Sequence, residues 1–156
     1  MWIDPQIFST IVKHTPLISI DLVVRNSAGQ VLLGKRTNRP AQNYWFVPGG
    51  RINKNESIED AFTRLTKEEL GASSTIEEAK FLAPYQHFYA DNFSGTSFST
   101  HYVVLAYELI LDISLDSLPR EQHHDYAWFE IPELLAAGDV HQHTKDYFIL
   151  QLEGSR

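Results

Sequence analysis

The stretch GGRINKNESIEDAFTRLTKEELG, residues 49–71, joins a glycine pair to the strongest helical pattern in the chain. Residues 56–70 predict an amphipathic helix, because their apolar side chains recur at helical spacing and a glycine follows them. The predicted buried face is made of apolar side chains that share one arc of the helical wheel: Ile58, Ala61, Phe62, Leu65 and Ala72. Glu69 falls in the middle of this arc, directly beneath Leu65, whereas Glu68 lies at its edge. The helix therefore places one of two adjacent carboxylates toward the protein interior.

A carboxylate at position 69 needs a partner, because burying an unpaired charge is costly. One interpretation is a salt bridge to an arginine at the edge of the core. The other is a metal ion, which the Gly49-Gly50 pair favours, because glycine lets backbone atoms approach a ligand closely. Hard oxygen ligands of this kind suit Mg²⁺ or Mn²⁺, which also hold substrate phosphates. The metal interpretation is the one we prefer.

Length and composition favour one globular domain over residues 1–156, with 43% hydrophobic and 21% charged residues. The sequence has no cysteine, which excludes disulfides, a thiolate nucleophile and a cysteine-based zinc site. The net charge of −7 argues against a nucleic-acid-binding protein but permits a small anionic ligand held by a local cluster of cations. The N-terminal segment MWIDPQIFSTIVKHTP has no basic leader and no long apolar run, so we expect no membrane span and a cytoplasmic location.

Strands and helices are interspersed along the rest of the chain. The predicted helices are one from Pro5 to about Lys13, one in IPELLAAG and a final one in HQHTKDYFILQLE. The predicted strands are a hairpin in PLISIDLVVRNSAGQVLLGKR, a bulged strand in AKFLAPYQHFYADNFSG, a long strand in TSFSTHYVVLAYELILDI and a short strand at the end of LPREQHHDYAWFEI. This mixture predicts a single-domain α/β or α+β sandwich.

The opening stretch resembles the signature of the Nudix hydrolase superfamily, G-x5-E-x7-R-E-U-x-E-E-x-G-U, where U is a bulky aliphatic residue. The matching positions are Gly50, Glu56, Arg64, Glu68, Glu69 and Gly71. Leu65 replaces a family glutamate that binds metal and often helps to activate the attacking water, and Thr66 and Ala72 replace aliphatic residues. The resemblance implies the Nudix fold, a mixed β-sheet sandwiched between α-helices. The loss at Leu65 argues against the family's common attack on phosphorus.

The GDP-mannose mannosyl hydrolase branch of this superfamily also lacks that glutamate. The chain resembles the branch from Phe8 to the final helix, most clearly in LGKRTNRPAQNYWFVPGGR, QHFYADNFSGTSFSTHYVV and EQHHDYAW. The resemblance implies a homodimer that hydrolyses a GDP-sugar, GDP-mannose or also GDP-glucose, by attack of water at the anomeric carbon with inversion. The alternatives are a Nudix pyrophosphohydrolase that cleaves the diphosphate and a non-catalytic domain that binds nucleotide sugars.

The resemblance also implies a metal site for Mg²⁺, with Mn²⁺ as the alternative. Its ligands are oxygen atoms of three residues: the Gly49 carbonyl, the Glu69 carboxylate and the Gln122 amide. For Glu68 we expect a solvated side chain, with outer contact to the metal as the alternative. For Glu56 we expect a structural role, in which it pairs with Arg64 or braces the loop.

The catalytic base must lie outside the signature helix, because Leu65 cannot accept a proton. A histidine in the polar stretch REQHHDY titrates near neutrality and suits this task. The residues alone do not choose between His123 and His124, and the resemblance assigns the base to His123.

The remaining site residues bind the substrate. Arg36 and Arg51 flank the glycine pair and suit a diphosphate, because guanidinium binds phosphate oxygens bidentately. The resemblance makes both arginines stabilise the leaving group, with Tyr102 adding a hydrogen bond. It makes Asp21 and His87 sugar contacts, although a buried structural hydrogen bond competes for Asp21.

Two further features have a structural alternative. Phe8 stacks on guanine in one interpretation and packs in the core in the other. His141 and His143 lack the context of a metal site, and we expect them at a solvated helix start.

Overall fold

The computed structural model describes residues 1–120 and 123–152, with side chains other than those of residues 123, 124 and 150–152. Within this part of the chain the helices are α1 (Pro5–His14), α2 (Ile58–Leu70), α3 (Ile131–Ala136) and α4 (Gln142–Leu152). The strands are β1 (Leu17–Arg25), β2 (Val31–Arg36), β3 (Trp45–Phe46), β4 (Gly49–Arg51), β5 (Lys80–Tyr89), β6 (Thr100–Ile110) and β7 (His123–Phe129). Each predicted element is present, and the predicted bulge lies between Phe81 and Ala83.

The strands form one mixed sheet with β1 at its centre. The main order is β3-β2-β1-β6-β5, with β4 paired to β1 and β7 paired to β2. Strand β1 runs parallel to β6 and antiparallel to β2 and β4. This arrangement confirms the predicted mixed sheet.

The two faces of β1 bury different helices, because successive side chains of a strand point to opposite sides. Ile20, Leu22 and Val24 are fully buried in a cluster with Phe62 and other α2 residues. Val23 belongs to a second cluster, which contains Tyr147 and Phe148 of α4. The sheet is therefore sandwiched between α2 on one face and α4 on the other, as predicted. Within the described residues, no helix is long and apolar enough to cross a membrane.

Helix α2 has clear caps at both ends. The Ser57 hydroxyl accepts a hydrogen bond from the Asp60 amide (3.0 Å), and Gly71 ends the helix in a left-handed conformation with φ of 75°. Leu65 and Glu69, which the helical wheel placed on the buried face, are 2% and 5% exposed. The wheel is wrong at Ile58, which is 40% exposed because it lies at the first turn, beyond the edge of the core. It is also wrong at Ala72, which is exposed because the helix ends at Leu70.

The glycine pair of β4 lies in close contact with β1 on one side and α2 on the other. A Cβ atom added to Gly49 would lie 2.5 Å from Asp21 Oδ1 and 2.5 Å from the Ile20 carbonyl oxygen. A Cβ atom added to Gly50 would lie 2.6 Å from Leu65 Cδ2 and 3.9 Å from Glu69 Oε1. Close packing against the protein itself thus requires both glycines, whereas the sequence suggested only a close approach to a ligand.

An ion pair fixes the loop between β4 and α2. Arg64 Nε donates to Glu56 Oε2 (2.7 Å), and Arg64 Nη2 donates to Glu56 Oε1 (2.9 Å) and to the Arg51 carbonyl (2.8 Å). The Asn53 amide donates to the same Glu56 carboxylate (3.0 Å). The predicted pairing of Glu56 with Arg64 is confirmed, and it connects the helix to the strand end that carries Arg51.

We expect Glu56→Gln to lower the free energy of unfolding by about 1–2 kcal/mol at neutral pH, because the charged partner of Arg64 is lost. The hydrogen bond from Arg64 holds the pKa of Glu56 below its usual value of 4.5. A carboxylate whose folded-state pKa is lowered adds stability above its unfolded pKa, and this contribution disappears as the pH falls through the folded value. The difference between the two proteins in urea denaturation should therefore be constant near pH 7 and shrink below about pH 4.5.

Glu68→Gln is the matched control, because Glu68 also accepts from Arg64 (3.0 Å) but its side chain is 59% exposed. Its loss should cost less than about 0.5 kcal/mol. Equal losses for the two variants, or a Glu56→Gln difference that persists in acid, would contradict this account of the loop.

Candidate active site

The structure brings several predicted site residues into one pocket beside β1. They come from five strands: Asp21, Arg36, Gly49, Arg51, His87 and Tyr102. Residues far apart in the chain meet there because β1 pairs with both β4 and β6. Asp21 of β1 lies opposite Gly49 of β4, and Leu17 of β1 lies opposite Tyr102 of β6. The pocket therefore combines cationic and acidic side chains.

Arg36, Arg51 and Tyr102 supply hydrogen-bond donors to this pocket. Arg36 is oriented by its Nε, which donates to the Pro40 carbonyl (2.9 Å). Burial raises the pKa of the Tyr102 hydroxyl, and the charges of both arginines oppose that rise. Tyr102 thus keeps its proton at neutral pH. Two cations beside a neutral hydroxyl suit an anionic group such as a diphosphate.

Phe8 lies next to the cationic residues. Its ring centroid is 4.6 Å from the guanidinium carbon of Arg51, and its ring contacts Phe93 with centroids 4.9 Å apart. Phe8 is half-buried, so it packs neither fully in the core nor freely in solvent. Helix α1 thereby contacts the pocket through a cation–π pair.

Asp21 and His87 contribute buried polar groups to the pocket, with exposures of 7% and 3%. Burial raises the pKa of Asp21 to about 7, against the lowering effects of a hydrogen bond from Tyr147 and the charge of Arg36. The Tyr147 hydroxyl donates to Asp21 Oδ2 and lies 3.3 Å from His87 Nε2. Both interpretations of Asp21 are compatible with this geometry, since it lines the pocket and also has a buried hydrogen bond.

Three residues in α4 or directly before it were not predicted to lie near the pocket. Tyr147 is buried behind Asp21, and the rings of His143 and His87 stack with centroids 4.2 Å apart and planes 3° apart. The His141 ring packs against Phe46 at 5.3 Å. Both histidines lie at the start of α4, as expected, but they are half-buried in ring contacts rather than fully solvated. His143 and Tyr147 are four residues apart, a spacing that puts them on one helix face and could have linked them.

Glu69 and Leu65 lie on the α2 side of the glycine pair. Burial and the negative charge of Glu68 raise the pKa of Glu69 to about 7. Among the described residues Glu69 has no hydrogen-bond or ion-pair partner, so the salt-bridge interpretation finds no support there. Leu65 is a core residue in contact with Gly50.

Comparison with known proteins identifies the family. Residues 15–150 match the model of the NUDIX domain. The chain belongs to the Nudix family. The mixed sheet between helices is the fold expected of this hydrolase family, and the MutT protein from Methanosarcina mazei Go1 shares it, with a TM-score of 0.69, 19% identity and coverage of 92% of this chain and 99% of that chain.

The names of two relatives bear on function. The Low-salt glycan biosynthesis protein Agl8 of Haloferax volcanii is 44% identical over 126 residues, which are 80% of this chain and 78% of that protein. The RNA pyrophosphohydrolase of Pasteurella multocida is 41% identical over 70 residues, which are 45% of this chain and 33% of that protein. The first similarity covers most of both chains, whereas the second covers less than half of either.

The Nudix family generally uses divalent metal ions, and the Glu69 region fits such an ion. A buried carboxylate without a hydrogen-bond or ion-pair partner among the described residues, close to the backbone of a glycine pair, suits a hard cation. Residues 1–120 and 123–152 contain no group of three or more His, Asp or Glu that could hold a metal by side chains alone. The predicted ligand set uses a single carboxylate together with the Gly49 carbonyl and Gln122, and Gln122 lies outside the described residues.

The predicted base, His123, is the first residue of β7, and its backbone pairs opposite Arg36 of β2. The strand pairing therefore brings the backbone at position 123 to the end of β2 that carries a pocket residue. His124 follows it in the same strand. The assignment of the base to His123 remains a prediction.

We expect Glu69→Gln to weaken Mn²⁺ binding at least roughly tenfold, because the carboxylate of the predicted metal set is lost. The metal-free variant should fold as stably as the wild type, since the substitution removes a buried carboxylate that has no hydrogen-bond or ion-pair partner among the described residues. Mn²⁺ titration followed by electron paramagnetic resonance measures the affinity, and urea denaturation measures the stability. Glu68→Gln serves as the control and should retain Mn²⁺ binding. Unchanged affinity in Glu69→Gln would exclude Glu69 as a ligand.

Proposed function

We propose that this Nudix protein hydrolyses a GDP-sugar, GDP-mannose or GDP-glucose, to GDP and free sugar. The observation that carries the proposal is Leu65, which is 2% exposed in the core at the position of the family's catalytic glutamate. An apolar side chain there cannot help water to attack phosphorus. The catalytic base must therefore come from another element. The position of that base determines which atom of the substrate the water attacks, and so which bond breaks.

In the proposed reaction a water oxygen forms a bond to the anomeric carbon from the face opposite the diphosphate. The bond between that carbon and the diphosphate oxygen breaks, and GDP leaves with the electron pair. The proton of the water passes to the base, His123, and the sugar is released with inverted configuration. Each bond formed is matched by one broken, so no further reactant is required.

The charges of the pocket support this orientation of the substrate. Arg36, Arg51 and Tyr102 bind the diphosphate and stabilise the charge that develops on the leaving GDP. Asp21 and His87 bind the sugar hydroxyls, and Phe8, which lies next to Arg51, stacks on the guanine ring. A bound Mg²⁺ or Mn²⁺, held by Gly49, Glu69 and Gln122, adds positive charge at the diphosphate.

The name of the Haloferax volcanii relative agrees with a sugar substrate. Glycan synthesis uses activated sugars, and a nucleotide sugar is a substrate of that class. The proposal includes the homodimer implied by the mannosyl hydrolase branch.

A pyrophosphohydrolase is the second candidate. It is favoured by the similarity over 70 residues to a protein named RNA pyrophosphohydrolase. In that case water attacks phosphorus with Glu68 and another group in place of the lost glutamate, and the products from a GDP-sugar are GMP and a sugar 1-phosphate. A third candidate is a nucleotide-sugar-binding domain without activity.

Hydrolysis of GDP-mannose in ¹⁸O-labelled water separates the three candidates. We expect GDP and a sugar that carries the label, because water attacks carbon. Mass spectrometry of the products locates the label. Label in GDP, or formation of GMP and sugar 1-phosphate, would overturn the proposal in favour of attack on phosphorus. Absence of turnover with both GDP-mannose and GDP-glucose would favour the binding domain.

We expect His123→Ala to lower kcat roughly 10²- to 10⁴-fold, which is the usual contribution of a general base. GDP binding should be retained, because the diphosphate is held by the arginines on other strands. Steady-state kinetics and calorimetric titration with GDP measure the two quantities. The neighbouring variant His124→Ala is the matched control and should keep most of its activity. The reverse result would assign the base to His124.

A further inference from the structure

Asp21, His87 and Tyr147 form a buried hydrogen-bonded array on the α4 face of the sheet. The Tyr147 hydroxyl donates to Asp21 Oδ2, and the Tyr147 hydroxyl oxygen lies 3.3 Å from His87 Nε2. The exposures of the three residues are 7%, 3% and 1%. Asp21 and His87 line the pocket, whereas Tyr147 lies behind them and contacts both. One hydroxyl thus connects two side chains from β1 and β5.

The number of protons in this array determines which atoms donate and which atoms accept its hydrogen bonds. A tyrosine hydroxyl has one proton to donate, and here it is donated to the carboxylate. The contact between Tyr147 and His87 then requires the imidazole to donate from Nε2 to the tyrosine oxygen. A neutral imidazole that is protonated at Nε2 has an unprotonated Nδ1, which is a hydrogen-bond acceptor. Both Asp21 and His87 therefore have acceptor atoms available for a ligand.

The surroundings keep His87 neutral. Its ring stacks on that of His143, whose Nε2 is 3.1 Å from the Phe88 carbonyl and whose amide donates to His141 Nδ1 (3.0 Å). A carbonyl oxygen accepts only, so the proton of His143 is on Nε2. Burial and the two neighbouring histidines lower the pKa of His87 to about 3. The imidazole therefore remains uncharged and keeps one proton at neutral pH.

We propose that Tyr147 is a positioning residue that presents Asp21 and His87 to the pocket as two hydrogen-bond acceptors. The chemical group that this arrangement recognises has two neighbouring hydroxyl donors, such as a vicinal diol of a hexose. The inference rests on the proposed function for the identity of the ligand, and it adds a reason why a polyol, rather than a second anion, occupies this part of the pocket. A fully ionised phosphate has no hydrogen-bond donor to offer to these two acceptors.

The tautomer of His87 tests the inference without requiring turnover. In ¹⁵N-detected NMR of the intact protein near pH 7, we expect a protonated Nε2 and an unprotonated Nδ1, with the signals assigned by comparison with His87→Gln. In Tyr147→Phe the oxygen that accepts the Nε2 proton is gone, and the preference for this tautomer should be lost. A wild-type His87 that is protonated at Nδ1, or a tautomer that is unchanged in Tyr147→Phe, would overturn the inference.

Kinetics provide the second test. We expect Tyr147→Phe to lower kcat/KM for the GDP-sugar roughly 10- to 100-fold, which is the usual effect of removing a hydrogen bond to a charged group. The inhibition constant of GDP should be unchanged, because GDP lacks the sugar. Tyr85→Phe is the matched control, since its ring packs edge-on against Tyr147 at 4.7 Å while its hydroxyl is no part of the array. It should retain kcat/KM.

The outcomes separate this inference from the proposed function. Parallel losses of GDP binding and GDP-sugar turnover in Tyr147→Phe would show a general structural role and overturn the inference. If the wild-type protein does not convert GDP-sugars to GDP, the proposed function fails, but the NMR result still decides whether Tyr147 fixes the tautomer of His87.

Discussion

The close packing of the β4 glycines between β1 and α2 is the contact on which the rest of the pocket depends. Neither glycine position leaves room for a side chain, so β1 and α2 approach β4 from opposite sides. This brings Asp21 and Glu69 to either side of the same short strand, and the charge of Asp21 contributes to the raised pKa of Glu69. Two buried carboxylates beside the same strand are stabilised by a positive charge that lies near them. Arg36 lowers the pKa of both and supplies part of that charge.

Leu65 has a packing role and a chemical consequence at the same position. Its Cδ2 atom fills the space beside Gly50, and it belongs to the core cluster that joins α2 to β1. A glutamate there would place a third carboxylate near Glu68 and Glu69, where the charge of Glu68 already contributes to the raised pKa of Glu69. The apolar residue therefore relieves charge repulsion on α2 and strengthens the core. In the proposed reaction the loss of this glutamate moves the activation of water from α2 to a residue of another element.

The sequence predicted local features well and distant contacts poorly. Glu69 was recognised as buried because helical periodicity is a property of neighbouring residues. The Glu56–Arg64 pair was expected from the family resemblance, since Glu56 precedes the first residue of α2. Ile58 was misplaced because a wheel contains no information about where the core ends along the helix. Tyr147, His141 and His143 were missed because the packing of α4 against β5 depends on the whole sheet. Asp21 gave a local signal of this contact, as an acid within an apolar strand that needed a buried partner.

The arrangement of polar groups gives the pocket two chemically different parts. Arg36, Arg51 and Tyr102 present donors and positive charge, whereas Asp21 and the neutral His87 present acceptors. A ligand with an anionic group at one side and a polyol at the other can bind in a single orientation, because the reverse orientation sets phosphate against carboxylate. In a nucleotide sugar, the anomeric carbon lies at the junction of these two groups. If the protein binds a nucleotide sugar as we propose, this electrostatic pattern would place the carbon–oxygen bond, rather than the bond between the phosphates, between the two groups of residues.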